Sequence, residues 1–189
     1  MMRHAISIAA IAGAFALLAI LRSTTPDYTT LTGPISAAVR PGETADARNF
    51  QASIGAVRLA RSVRYRATMG PMVRDTGGMW LIVPATVLAT RETMMLSGAS
   101  WVDAAGIRYA QSRRVDDGAT VLIDKLMQPG MARKGVFVFE VPERVALGGT
   151  LLVSDTSDPR LDSQVRIALP GADAKIDDTL DLDMLNDGR

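Results

Sequence analysis

Residues 126–145 read LMQPGMARKGVFVFEVPERV. Pro129-Gly130 supplies a turn, and Pro142 lacks the amide hydrogen that would carry pairing further. Between them, Phe137, Phe139 and Val141 face one way while Val136, Val138 and Glu140 face the other. A strand this apolar on both faces belongs in a core, where burial of each phenylalanine contributes on the order of 2 kcal/mol. It makes the surrounding chain an all-β protein.

The period of two recurs on the amino-terminal side. Phe50, Ala52, Ile54 and Ala56 alternate with Gln51, Ser53 and Gly55, and Val63, Tyr65 and Ala67 alternate with Arg64 and Arg66. Residues 79–90, MWLIVPATVLAT, are apolar almost throughout, as a central strand covered on both faces would be, while Pro84 argues for an edge or a bulge. Trp101-Val102, Asp103-Ala104-Ala105-Gly106 and Ile107-Arg108-Tyr109 read as a hairpin closed by glycine. Further strands are expected at 120–126, 134–141, 150–154 and 163–169. Short strands separated by turn residues, with no long amphipathic helix, predict an antiparallel β-sandwich.

The chain's 189 residues leave room for one such domain. Before it, residues 5–21 read AISIAAIAGAFALLAIL, 17 residues without a charge, flanked by Arg3, His4 and Arg22. That length is the shortest expected of a spanning helix. A cleaved signal peptide is the rival reading, but the run exceeds a usual h-region and no small-x-small site follows it at Leu21, Arg22 and Ser23. An uncleaved signal anchor over 1–22 is the expectation. The positive charge preceding it puts the amino terminus in the cytoplasm and the domain outside, in the periplasm of a Gram-negative cell, single-pass through the inner membrane. Residues 23–46 contain Pro26, Gly33-Pro34 and Pro41-Gly42 and read as a linker. The domain then spans 47–170. An acidic tail occupies 171–189, where IDDTLDLDML reads as a short helix or a loose end.

The long apolar strand, the hairpin D-x-x-G-x-x-Y at Asp103, Gly106 and Tyr109, and the P-G turn feeding V-F-V-F-E-V-P together resemble the telokin-like, immunoglobulin-type domains of unknown function of bacterial extracytoplasmic proteins. The resemblance covers residues 47–169. It implies an immunoglobulin-like β-sandwich outside the cytoplasm and transfers no catalytic residues. One departure is local: a polar, asparagine-containing turn often follows the apolar strand in that family, where this chain has Ala89, Thr90, Arg91 and Glu92.

Composition excludes several chemistries. A net charge of +1 does not suit a nucleic-acid binder, and the absence of cysteine removes disulfides and thiolates. His4 is the single histidine and flanks the apolar run, so the domain holds no Ser-His-Asp triad and no histidine metal site. None of Lys125, Lys134 and Lys175 follows a serine at S-x-x-K spacing. Asp155, Asp158 and Asp162, and the tail's Asp177, Asp178, Asp181, Asp183 and Asp187, offer oxygens to calcium, but read first as solvated acidic loops. Met69, Met72, Met94 and Met95 would suit copper(I), yet methionine commonly fills irregular cores. No cofactor and no metal are expected.

One charged feature remains. Arg58, Arg61, Arg64 and Arg66 make VRLARSVRYR basic, and Arg64 and Arg66 share the face opposite Val63 and Tyr65. They are the candidate ligand-binding residues, for an anionic lipid headgroup, a polysaccharide or a protein partner. The sequence therefore reads as a membrane-anchored extracytoplasmic binding or assembly module of the cell envelope, not an enzyme, with a carboxylate-based envelope hydrolase as the alternative.

Overall fold

The computed structural model describes residues 2–115, 120–169 and 175–185. The chain divides into two compact units, Met1–Gly33 and Pro34–Arg189.

The first unit is helical: α1 (Met2–Thr24), then a single turn, α2 (Tyr28–Leu31). Alanine and leucine favour the helix, and the hydroxyls of Ser23, Thr24 and Thr25 donate to the Ile20 and Leu21 carbonyls at 2.7 to 3.1 Å, satisfying acceptors the last turn leaves open. Ile11, Phe15 and Leu18 are all exposed, Phe15 at 70%. Among the described residues no helix is long and apolar enough to cross a membrane. The uncharged run of 17 residues is about 25 Å long at helical rise, against a hydrocarbon core of about 30 Å.

The second unit is a β-sandwich. One sheet runs, in spatial order, β1 (Ile35–Val39), β12 (Ser163–Ala168), β11 (Thr150–Ser154), β7 (Gly98–Val102) and β8 (Arg108–Ala110). The other runs β13 (Lys175–Asp181), β4 (Arg58–Ala67), β5 (Gly70–Ala89), β3 (Phe50–Ile54) and β2 (Thr44–Asp46), with β10 (Arg133–Val141) also paired to β5. A short ribbon joins β6 (Met94–Met95) to β9 (Leu126–Met127).

Two expectations change at the sheet edges. Residues 23–46 contain two strands as well as connecting chain, because β1 finds its ladder on β12, far along the sequence, and so needs no local alternation of its own. The tail residues 175–181 are neither helix nor loose end but a strand on β4. Both additions run parallel to their partners, so the sandwich is mixed rather than wholly antiparallel. Parallel pairing needs a long connection, and strands this distant in sequence have one.

The phenylalanine strand forms as its alternation requires. Phe137, Phe139 and Val141 enter the core between the sheets with Phe50, Leu81, Trp101 and Ile167. Val136 and Val138 enter a second apolar layer on the outer face, with Trp80, Ile82, Val115, Val121 and Leu182. Each layer holds one of the two tryptophans. Residues 120–126 cross the β10 edge rather than running along it: Thr120 O accepts from Val136 N at 2.8 Å, Leu122 N donates to Val136 O at 3.1 Å, and Asp124 turns away at φ +55°.

Pro84 lies in the centre of the sheet at no cost. On one side β5 pairs with β4 as far as Ile82 and with β3 from Ala85 onward. Pro84 O accepts from Gly55 N at 2.8 Å in the handover between them, and the nitrogen of a strand residue faces the same side as its oxygen, so no ladder bond to β10 is lost. The Asp103 hairpin is equally local in origin. One Asp103 carboxylate oxygen accepts from Ala105 N at 2.9 Å and Ile107 N at 2.8 Å, the other from the Tyr109 hydroxyl at 3.4 Å, with Gly106 at φ +82°. These bonds make D-x-x-G-x-x-Y a framework device.

Candidate functional site

The four arginines of β4 do not share one face. The β4–β5 ladder breaks between Ala60, opposite Trp80, and Ser62, opposite Asp75, so β5 spends residues 76–79 where β4 spends Arg61. Before the break Leu59 enters the core between the sheets and Ala60 the outer layer; after it Val63 and Tyr65 enter the outer layer. Arg64 and Arg66 are exposed in alternation with them.

Arg58 lies apart and is already engaged. Its guanidinium pairs with the Asp177 carboxylate of β13, and Lys175 Nζ lies 3.4 Å from the other oxygen. Partial burial pushes the Asp177 carboxyl up, but the hydrogen bonds and charges of Arg58 and Lys175 outweigh it and hold the group below its ordinary value. Arg58 Nε is buried without a partner. Arg61, in the ladder break, comes within 3.7 Å of Glu143, both well exposed, a geometry worth little.

The acidic tail answers the rest of the basic strand. Asp181 sits opposite Arg64 in the parallel register. Leu182 N donates to Arg64 O at 2.8 Å, and Arg66 N donates to Asp183 Oδ2 at 3.0 Å. The Thr120 hydroxyl donates to the other Asp183 oxygen at 3.1 Å. Beside the tail runs an open groove of about 850 Å³ lined by Arg58, Asp177, Leu180, Met184 and Leu185.

β4 and β5 continue beyond the break as an arm ending in a turn at Thr68, Met69 and Gly70, the last at φ +125°. Met69 is 98% exposed and Val73, opposite Arg64, 49%. Ser62 donates to Asp75 on the same face at 2.6 Å. The arm's exposed face, opposite the outer layer, therefore combines Arg64 and Arg66 with Asp75, Asp181 and Val73, and Met69 stands at its tip.

A network of side chains that the sequence does not single out braces this arm. Arg114 lies over the Trp80 ring, 5.4 Å from its centroid, and donates to Glu140 at 2.7 Å and to Asp75 O at 3.0 Å. Thr76 also donates to Glu140, at 2.6 Å. The one signal was Glu140 itself, the charged exception in an apolar strand.

The other candidates are engaged locally. Asp155 accepts from Thr156 N at 2.8 Å and Asn49 Nδ2 at 3.4 Å, Asp158 pairs with Arg160 at 2.8 Å, and Asp162 accepts from Ser163 N at 2.7 Å with Arg48 at 3.7 Å. Among the described residues no group of three or more histidine, aspartate or glutamate side chains is placed to hold a metal ion. Asp187 and the His4 side chain lie outside the described residues. Met94 is buried opposite Met127 in the core between the sheets, while Met72 packs on the outer layer.

No protein-family model matches the chain, and no curated protein matches it. Solved structures do. The yjhA protein from Bacillus subtilis is 16% identical, covering 68% of this chain and 98% of that one at a TM-score of 0.52. MPT63, a secreted protein from Mycobacterium tuberculosis, is 14% identical, covering 71% and 97% at 0.50. An uncharacterized β-sandwich protein from Clostridium difficile is 13% identical, covering 76% and 99% at 0.49. At such identities the likeness to the yjhA protein and to MPT63 is one of fold alone.

Proposed function

We propose that this chain is a non-catalytic binding module of the cell envelope, a telokin-like, immunoglobulin-type sandwich carried outside the cytoplasm on a membrane-anchoring α1. The observation that carries the binding role is the exposed face of the β4–β5 arm, where Arg64, Arg66, Val73 and Met69 stand free on a braced hairpin. Apolar anchors beside arginine are what protein interfaces favour. Asp75 and Asp181 on the same face would repel a polyanion, so the reading is a protein partner rather than an anionic polymer. The anchoring role is supported by a helix whose apolar side chains are exposed and which carries Arg22, a residue able to reach the headgroup level; because the uncharged run falls short of a full span, anchoring requires a locally thinned bilayer.

A carboxy-terminal reporter active outside the cytoplasm, with the chain in the membrane fraction, is expected; a cytosolic reporter ends the anchoring reading. For the surface, a photo-crosslinking side chain at Met69 should give a discrete protein adduct that Arg64→Glu with Arg66→Glu removes, while the same probe at exposed Arg108 on β8 gives none. Equal adducts from both positions would refute it, and retention on an anionic polysaccharide would turn the reading to a polymer.

A further inference from the structure

The tail strand is held on β4 by a parallel ladder of six residue pairs and by few buried side chains. Within β13 only Leu180 is buried, and Leu182 follows it into the outer layer. Beyond the ladder and its flanking hydrogen bonds the hold is charge: Asp177, Asp181 and Asp183 are set along Arg58, Arg64 and Arg66, and Arg58 with Asp177 forms a side-chain ion pair. A guanidinium presents a fork of donors suited to a carboxylate's two oxygens, yet Arg58 keeps a buried Nε unpaired. An open groove of about 850 Å³ lies against the tail, lined by Arg58 of β4 and otherwise by the tail's own side chains, among them Asp177, Leu180 and Leu185. Edge strands of this sort are where chains add strands from other chains, because the backbone ladder supplies affinity and the alternate side chains supply selectivity.

We propose that the β4 edge is a strand-receiving site for an extended acidic segment of a partner protein, lying parallel to β4 with its carboxylates along Arg58, Arg64 and Arg66, and that residues 175–185 fill it until that partner arrives. The resident tail displays the chemistry the site accepts: carboxylates at spaced positions and leucines between them. The proposal rests on the reading of this chain as a binding module and names the partner's chemistry at the edge of the same strand whose exposed face forms the arm.

The test uses the full chain and a labelled synthetic peptide, KIDDTLDLDML, copied from residues 175–185. The chain has no cysteine, so Ser62→Cys with Thr179→Cys, a pair opposite in the register, gives a lock that closes on oxidation and opens with dithiothreitol. Peptide uptake is expected from the reduced chain, with a loss of about tenfold or more on oxidation and recovery on reduction, because the locked tail cannot yield the ladder. Arg58→Glu should weaken uptake, and a peptide carrying lysine in place of Asp177 should restore it on that variant. Equal uptake by the oxidised and reduced forms, or none by a reduced chain whose circular dichroism is unchanged, overturns the proposal. Adducts at Met69 report on the arm's exposed face, so their persistence after such a failure would leave the broader binding role standing.

Discussion

β10 and β13 belong to the same sheet and owe their conformation to different causes. In β10 every residue from Gly135 to Phe139 is buried, and two apolar layers clamp it from both faces. In β13 one residue is buried, and the strand exists because β4 offers an unpaired edge and a row of arginines. The first strand is specified by its own side chains; the second takes the shape of its seat. Stability and exchange should differ accordingly.

The sharpest way to break the contrast is to damage β10. Phe139→Ala should cost about 3 to 5 kcal/mol, most of the margin of a small domain, and lower the denaturation midpoint for the whole sandwich; an unchanged midpoint would remove β10 from the core. Gly135→Ala comes next, at about 1 to 3 kcal/mol, because its Cβ would strike Thr120 O and the Leu122 side chain where residues 120–122 cross β10. Differential scanning calorimetry would show both effects as global.

Changes at β13 should stay local. Arg58→Ala leaves Asp177 half-buried with Lys175 as its remaining cation, and the site keeps some contact with water, so the cost should be about 1 kcal/mol. It should appear as faster amide exchange in residues 175–181 with β10 unaffected. Acid should act in the same way. The Asp177 carboxyl is held below its ordinary value when the tail is docked, so the docked state is favoured above the ordinary carboxylate range, about pH 4, and loses that advantage as pH falls through the lower, docked value. Exchange at β13 that quickens no more than at β10 between about pH 5 and about pH 3, after correction for intrinsic rates, would contradict this. Smallest of all, Arg64→Ala should change stability by less than about 0.5 kcal/mol, leaving any effect on the Met69 adduct to report binding alone.

What could be read in advance follows the same division. β10, the Asp103 hairpin and the alternation of Val63 and Tyr65 against Arg64 and Arg66 announce themselves within a few residues, because each is fixed by its own turn or its own period. β1 escaped notice since ISAAV lacks polar alternation and its partner begins at Ser163. At the candidate site the arginines and the aspartates were both visible as separate runs. Their meeting was not: Arg58 and Asp177 are 119 positions apart, and nothing local records a contact over that distance. Pro84 argued for an edge or a bulge and lies instead where β3 and β4 change places, an arrangement that only the assembled sheet displays.

The placement of one indole in each apolar layer gives the molecule a pair of built-in lamps. Trp80 lies beneath Arg114 in the outer layer, while Trp101 donates to Val145 O at 3.1 Å between the sheets. A chain retaining only one of them would glow from a single layer, so the loosening of the two sides could be followed separately by the colour of the emitted light.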